Sequence, residues 1–192
     1  MYYKKILAAA LTVSCIGGIV PANSVQAASL KIRYSGKTRY YKGKQLHVSY
    51  ANKNLSSKYV GIQINKVNMI PYYDYLVKQG PKVKRTYSKS SGKLILKNGD
   101  DTLTAYVGKR TYYLNGIKKT FSVAPTKVKY YKTKKTIILI PANAIVKGLG
   151  LNYKYSSSSK RIYITQPVIP SDSTTQAQTQ PSGSVQYTNY NK

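Results

Sequence analysis

Between Ser29 and Thr165 apolar and β-branched residues alternate with lysine, threonine and tyrosine in short runs broken by glycine, asparagine and serine. That pattern predicts many short strands. Thr136–Ile140 is a continuous apolar run, as expected of a strand buried on both faces. Pro141 then suits the first turn of a helix, where its missing N–H would have no partner anyway. Ile145, Val146 and Leu149 make one apolar stripe, and Gly150 offers the left-handed conformation that closes a helix. A helix this short must lean on a sheet. Leu151–Tyr155 alternates as a half-buried strand, Ser156–Ser159 forms a turn, and Arg161–Thr165 returns as the antiparallel partner.

The same succession occurs earlier in the chain. Met69–Gly80 aligns with Leu139–Gly150 at a constant offset of 70 residues, and Leu94-Ile95-Leu96 matches Ile162-Tyr163-Ile164 after a two-residue adjustment. In the first copy Tyr72, Tyr73, Tyr75, Leu76 and Val77 occupy the helix, which aromatic and β-branched residues weaken, and Gly80-Pro81 ends it. Between the copies, Thr102–Val107, Arg110–Leu114 and Lys118–Val123 read as hairpin strands with turns at Gly108 and Asn115-Gly116. Asn-Gly is the strongest hairpin signal of the chain. Gln45–Tyr50 is the equivalent strand ahead of the first copy, with Asn52-Lys53 at its turn. The fold class expected is α+β: two tandem small units, each a short antiparallel sheet packed around one short helix. Residues 28–97 hold the first repeat with its N-terminal strands, and residues 98–165 the second.

The two ends read differently. Lys4 and Lys5 precede an apolar run from Ile6 to Val20, and Val25-Gln26-Ala27 offers small residues for cleavage, so residues 1–27 read as an export signal and Ala28 as the mature start. A membrane anchor competes with this reading. However, Ser14, Gly17, Gly18 and Pro21 interrupt a run that falls short of the ~20 apolar residues of a spanning helix. Cys15 raises a lipoprotein reading, against which Thr12 stands where a leucine-like residue belongs. At the other end, residues 166–192 are Ser, Thr, Gln, Pro and Asn with few apolar side chains, too few to offset the entropy of ordering, and read as a disordered polar tail.

Charge changes the picture most. The chain carries 32 Lys and Arg against 4 Asp and Glu, a formal charge of +28. Removing residues 1–27 with their two lysines leaves 165 residues at about +26 and no cysteine, which excludes disulfides, thiolate metal sites and a thiol nucleophile. There is no glutamate; the aspartates are Asp74, Asp100, Asp101 and Asp172, and the one histidine is His47. Hydrolysis of sugars or peptides asks for paired carboxylates, an oriented histidine or a cluster of metal ligands. Asp100 and Asp101 adjoin a turn and point to opposite sides of a strand, so they make a poor pair. Alternation places His47 opposite Leu46 and Val48, as a surface residue, and Asp74 in a first helical turn suits the helix dipole. The inventory predicts no catalytic residue, no cofactor and no metal site.

Ile140-Pro141-Ala142-Asn143-Ala144-Ile145-Val146-Lys147-Gly148-Leu149-Gly150 is similar to the helix motif of the copper amine oxidase N-terminal (stalk) domain family. Tyr113-Leu114-Asn115-Gly116 fits that family's hairpin. The resemblance spans roughly Gln45 to Thr165, with Asn143 where the family has arginine and Lys147 where it has an acidic residue. It implies a small antiparallel sheet wrapped around one helix, used as tandem modules in secreted proteins of Gram-positive bacteria, often beside cell-wall hydrolases. It implies no copper chemistry, because the metal and the oxidising cofactor belong to a separate catalytic domain.

Two surface features remain as candidates. The positive charge attracts polyanions, which for an exported Gram-positive protein means the teichoic acids and anionic lipid heads of the envelope. The bland alternative is a basic solvated surface with no dedicated ligand. The second feature is tyrosine doublets beside cations, Arg39-Tyr40-Tyr41-Lys42, Arg110-Thr111-Tyr112-Tyr113 and Lys129-Tyr130-Tyr131-Lys132. Their rings could stack on sugars or bases while cations take phosphates; the competing reading makes one tyrosine of each doublet core. Candidate polyanion-binding residues are Arg39, Lys42, Lys44, Lys109, Arg110, Lys127, Lys129, Lys132, Lys134 and Lys135. The expected function is a secreted, non-catalytic cell-envelope module that binds or spaces at the wall through its basic surface. An extracellular nucleic-acid or polyphosphate binder is the alternative, and an accessory fragment of a cell-wall hydrolase the third.

Overall fold

The computed structural model describes residues 29–168. The expected export signal and nearly all of the expected tail lie outside the described residues. In chain order the strands are β1 (Leu30–Tyr34), β2 (Lys37–Tyr41), β3 (His47–Tyr50), β4 (Lys53–Leu55), β5 (Ile62–Ile64) and β6 (Val67–Pro71), followed by a π-helix (Tyr73–Gln79). Next come β7 (Lys84–Tyr87), β8 (Lys93–Asn98), β9 (Asp101–Tyr106), β10 (Thr111–Leu114), β11 (Ile117–Thr120), β12 (Thr126–Tyr130) and β13 (Lys135–Pro141). Helix α1 (Ala142–Gly148), β14 (Asn152–Ser156) and β15 (Arg161–Thr165) complete the series. The described chain is thus mostly β-sheet with two short helical segments.

The strands form three sheets, ordered β2-β1-β12-β13-β6-β5, β11-β10-β9-β8-β7 and β14-β15-β3-β4. Each sheet draws strands from both sides of residue 98. In the six-stranded sheet β13 and β6 are antiparallel partners through Met69 with Pro141, Ile70 with Ile140, and Pro71 with Leu139. Ile70 and Ile140, which align at the 70-residue offset, therefore face each other, and the pairs on either side are exchanged by a local two-fold. The hairpin after each helix then joins the strands that precede the other helix. β15 pairs β3 in parallel, a departure from the all-antiparallel expectation, whereas β8 reaches β10 only through β9, antiparallel to both. Inserting β9 leaves β8 and β10 parallel to each other, the same relation as β15 to β3.

Turn chemistry explains the registers. Asn115 and Gly116 have φ of 49° and 82°, the pair of positive values that a two-residue hairpin of matching twist requires. Ala51 and Asn52 do the same at 46° and 64°, so the β3–β4 turn falls one residue before the expected Asn52-Lys53, and Lys53 opens β4. Pro141 also differs from expectation. It ends β13 and precedes helix α1 at φ −64° and ψ 105°, so its ring sets the direction of approach and lies outside the helical turn. Gly150 is left-handed at φ +68°. Gly80 is not: a Cβ there would lie 2.2 Å from the Tyr75 carbonyl oxygen, which accepts the Gly80 N–H at 3.0 Å. That five-residue spacing makes the first helix a wide π turn, where successive tyrosines gain lateral room that a tighter spiral would deny them.

Both helices share one core. Tyr75 and Leu76 from the π-helix and Ile145 and Val146 from α1 pack with Leu46, Val48, Leu94, Leu96, Leu103, Ile162 and Ile164 from the two smaller sheets. A second cluster, Ile32, Ile62, Met69, Val128, Tyr130 and Leu139, fills the other face of the six-stranded sheet. Polar ties cross between the aligned segments: Asn98 Nδ2 donates to the Leu149 carbonyl at 2.7 Å, meeting an otherwise unpaired acceptor at the end of α1, and Asn68 Nδ2 donates to the Tyr153 hydroxyl at 2.8 Å.

Two predictions follow from this architecture. Residues 28–97 and 98–165, produced separately, should each lack a cooperative urea transition, because their hairpins and core faces have partners in the other segment; mixing them should restore the transition and its circular dichroism signal. The second concerns alkali. Burial, and then the Asp74 charge, push the Tyr75 phenol up to about 12, and burial also raises Tyr130, whose hydroxyl donates to the Val60 carbonyl at 2.6 Å. An unfolded tyrosine titrates near 10, so the stability these phenols contribute is fully present below about pH 10. It should fall as pH rises towards about 12 for Tyr75. Urea midpoints between pH 9 and 11.5 should decline less steeply in Tyr75→Phe than in the parent, a comparison in which lysine titration cancels.

Candidate polyanion-binding site

The chemistry-bearing surface is built by strand alternation on the six-stranded sheet. In β1 the order Lys31-Ile32-Arg33 exposes both cations and buries the aliphatic residue between them. In β12 the order Lys127-Val128-Lys129 repeats that pattern. The strands are antiparallel neighbours with Arg33 directly opposite Lys129, so all four cations share the face opposite Ile32 and Val128, the face on which Ile140 and Ile70 are buried further across the sheet. Like charges directly opposite each other destabilise a sheet. Lys31 faces Tyr40, and Arg33 faces Thr38, on the adjoining β2.

Tyrosine rings partly compensate. The Lys31 ammonium lies 5.4 Å from the Tyr40 ring centre and 5.0 Å from that of Tyr131, and Lys129 approaches Tyr131 at 5.5 Å. Such contacts contribute roughly 0.5–1 kcal/mol at exposed sites. Thr38 Oγ1 and the Tyr131 hydroxyl are hydrogen-bonded at 3.0 Å. That bond, followed by the charges of Lys129, Arg33 and Lys31, holds the Tyr131 phenol below its ordinary value.

This face opens into a groove of about 630 Å3 whose cations are Arg33, Lys89, Lys127 and Lys129, with Ser90 and Ser91 of the β7–β8 turn on the opposite wall and no acidic residue in its lining. A neighbouring depression of about 540 Å3 holds Arg39 and Arg110 and shares Tyr34, Ser35, Gly108 and Thr126 with the groove. Arg39 is the cross-strand partner of buried Ile32, so it emerges on the other side of β2, with its guanidinium 4.8 Å from the Tyr34 ring centre. Arg110 Nε donates to the Phe121 carbonyl at 2.8 Å.

Of the sequence candidates, Lys127 and Lys129 come together in the groove, and Arg39 and Arg110 in its extension. Lys109 lies over the Tyr106 ring at 5.4 Å. Lys132 and Lys134 occupy the β12–β13 turn at the opposite end of that hairpin, Lys135 opens β13, and Lys42 and Lys44 follow β2 away from the groove lining. The reading from sequence missed Lys31, Arg33 and Lys89. Lys31 and Arg33 carried a usable signal, the same cation–aliphatic–cation alternation as Lys127–Lys129, which a search centred on tyrosine doublets passes over. Lys89 had none, since only the sheet packing brings its turn to the groove. The doublets divide as alternation predicts: Tyr112 and Tyr130 are buried, while Tyr113 and Tyr40 are exposed.

The remaining titratable residues are dispersed. His47 is exposed between buried Leu46 and Val48. Asp74 accepts a short hydrogen bond from Ser57 Oγ, and Asp101 accepts one from Asn115 Nδ2 at 2.9 Å, which braces the β10–β11 turn.

A family model for the copper amine oxidase N-terminal domain matches residues 50–164. The chain belongs to that family. The match runs from the end of β3 to the end of β15 and takes in both helices, all but the first strands of the described fold. No curated protein and no solved structure matches the chain. The family name raises the question of copper, and the side chains do not fit it: among the described residues no three of His, Cys, Asp and Glu lie close enough to hold a metal ion. Among those residues, too, no helix is long and apolar enough to cross a membrane.

The opposed cations yield a prediction. Lys129→Gln should raise stability at low ionic strength by about 0.5 kcal/mol, because it removes the repulsion with Arg33. The gain should vanish near 1 M salt, where screening extends over only ~3 Å. Urea midpoints of parent and variant at the two salt concentrations check it.

Proposed function

We propose that this family member is a secreted, non-catalytic module that binds anionic polymers of the cell envelope through the groove between β1, β12 and the β7–β8 turn. The observation that carries this reading is Arg33 held directly opposite Lys129, flanked by Lys31 and Lys127, on a face whose groove lining contains no carboxylate. A fold that sets like charges against each other loses local stability, and an anion bound there returns it. The groove is open, suited to a chain that runs through it, and the Arg39–Arg110 depression continues the track. Envelope polymers built on phosphodiesters match this chemistry, and the apolar and basic residues of the leader support export to where they occur.

The same cations could take a nucleic acid, whose bases would stack on the exposed tyrosines. Sedimentation of the mature protein with Gram-positive walls, before and after removal of teichoic acid and across a salt series, tests the assignment. Binding should weaken steeply with salt, disappear on stripping, and lose about one unit of log–log salt slope for each of Lys127→Gln and Lys129→Gln. No binding to either wall would overturn the proposal, and tighter binding to DNA than to a teichoic polymer at equal salt would favour the nucleic-acid reading.

A further inference from the structure

The cation-bearing face of the six-stranded sheet does not end at the groove. Thr136 on β13 is the cross-strand partner of Lys129 and lines both the cationic groove and a second cleft of about 400 Å3. The second cleft is different in kind. Its floor is the β13 segment that includes Ile138, and its walls carry Tyr59, Tyr73, Tyr87 and Arg85. Tyr73 projects from the π-helix with 38% of its surface exposed. The Arg85 guanidinium lies 4.5 Å from the Tyr73 ring centre and donates to the Tyr72 hydroxyl at 3.3 Å, and the Lys78 ammonium, also in the lining, lies 5.1 Å from the Tyr73 ring centre. Asp74 stands at the rim with a carboxylate oxygen engaged by Ser57.

Flat rings beside a few fixed polar groups are the lining of a site for a ring-shaped polar molecule. The C–H faces of a sugar pack against tyrosine, while its hydroxyl and amide groups need donors and acceptors of the kind that Arg85 and Asp74 supply. The volume falls within the ~300–1,000 Å3 usual for small-molecule sites. The position in α1 equivalent to Tyr73 is Asn143, and Ala142 aligns with Tyr72, so the second copy has no ring at either position.

We infer that the groove and the cleft form one bipartite site, whose ligand is a polyol-phosphate polymer bearing sugar substituents, with phosphates along Arg33, Lys127 and Lys129 and a pendant sugar ring in the cleft beside Tyr73 and Arg85. This rests on the polyanion reading and narrows it. A bare polyphosphate fills only half of the site.

The test compares poly(ribitol phosphate) with and without N-acetylglucosamine substituents, at matched chain length and salt, by calorimetric titration of the mature protein. The substituted polymer should bind about tenfold tighter. Tyr73→Ala should remove that advantage and leave the bare polymer's affinity unchanged, while Tyr73→Phe retains it. Lys127→Gln with Lys129→Gln should weaken both polymers alike. Equal binding of the two polymers would overturn the inference and leave the polyanion reading standing, whereas binding of neither would overturn both. A single-stranded oligonucleotide that loses affinity in Tyr73→Ala, with the substituted polymer unaffected, would assign the cleft to a base and likewise overturn it. Thermal melts of Tyr73→Ala and Tyr73→Phe show whether the fold is intact.

Discussion

The rest of the structure depends on the antiparallel contact of β6 with β13. Ile70 meets Ile140, and both side chains are fully buried in the core that also holds the two helices. Ile70 lies three residues before the first residue of its helix, Tyr73, and Ile140 two before Ala142, so this one register sets where both helices begin. A slip by a single residue would turn Ile70 and Ile140 out of the helical core and Met69 and Leu139 out of the other cluster. The prolines that follow, Pro71 and Pro141, then turn the chain off the sheet at equivalent points. From there the exchange of hairpins follows: the strand pair after each helix finds its edge on the strands that precede the other.

Against this well-buried centre, the outer end of the six-stranded sheet is arranged against its own stability. Arg33 and Lys129 oppose each other, and Lys84 opposes Lys97 in the five-stranded sheet. Tyrosine rings beneath Lys31 and Lys129 soften the repulsion without cancelling it. The core can carry this cost because it lies elsewhere, below Ile32 and Val128. Separation of a rigid apolar layer from a strained charged layer on the same strands is what alternation makes possible: each strand has one face for each task.

Membership of the copper amine oxidase N-terminal domain family fits this division of labour. The described residues hold no metal-ligand cluster, and the Asp74 and Asp101 carboxylates accept structural hydrogen bonds from Ser57 and Asn115. What the described residues present to solvent is chiefly cations, phenols and turn backbone.

Much of the local structure was legible without coordinates. Runs such as Thr136–Ile140 and Arg161–Thr165, the Asn115-Gly116 turn and the left-handed Gly150 are decided by steric preferences acting over a few residues, and β15 appears with the expected bounds. The wide turn at Tyr73–Gln79 and the turn at Ala51-Asn52 were not legible, since neighbouring packing decides between close alternatives there. The candidate site was half visible. Lys127 and Lys129 were found as cations on a strand, but their meeting with Arg33 and Lys89 depends on pairing residues far apart in the chain, and no local preference encodes a partner. The sequence by itself determined many of the elements and the excess of positive charge, because these follow from residue types and short-range sterics. Only the tertiary structure decided which strands share a sheet, and so which cations share a face, because sheet pairing is set by the burial of whole surfaces and not by any one segment.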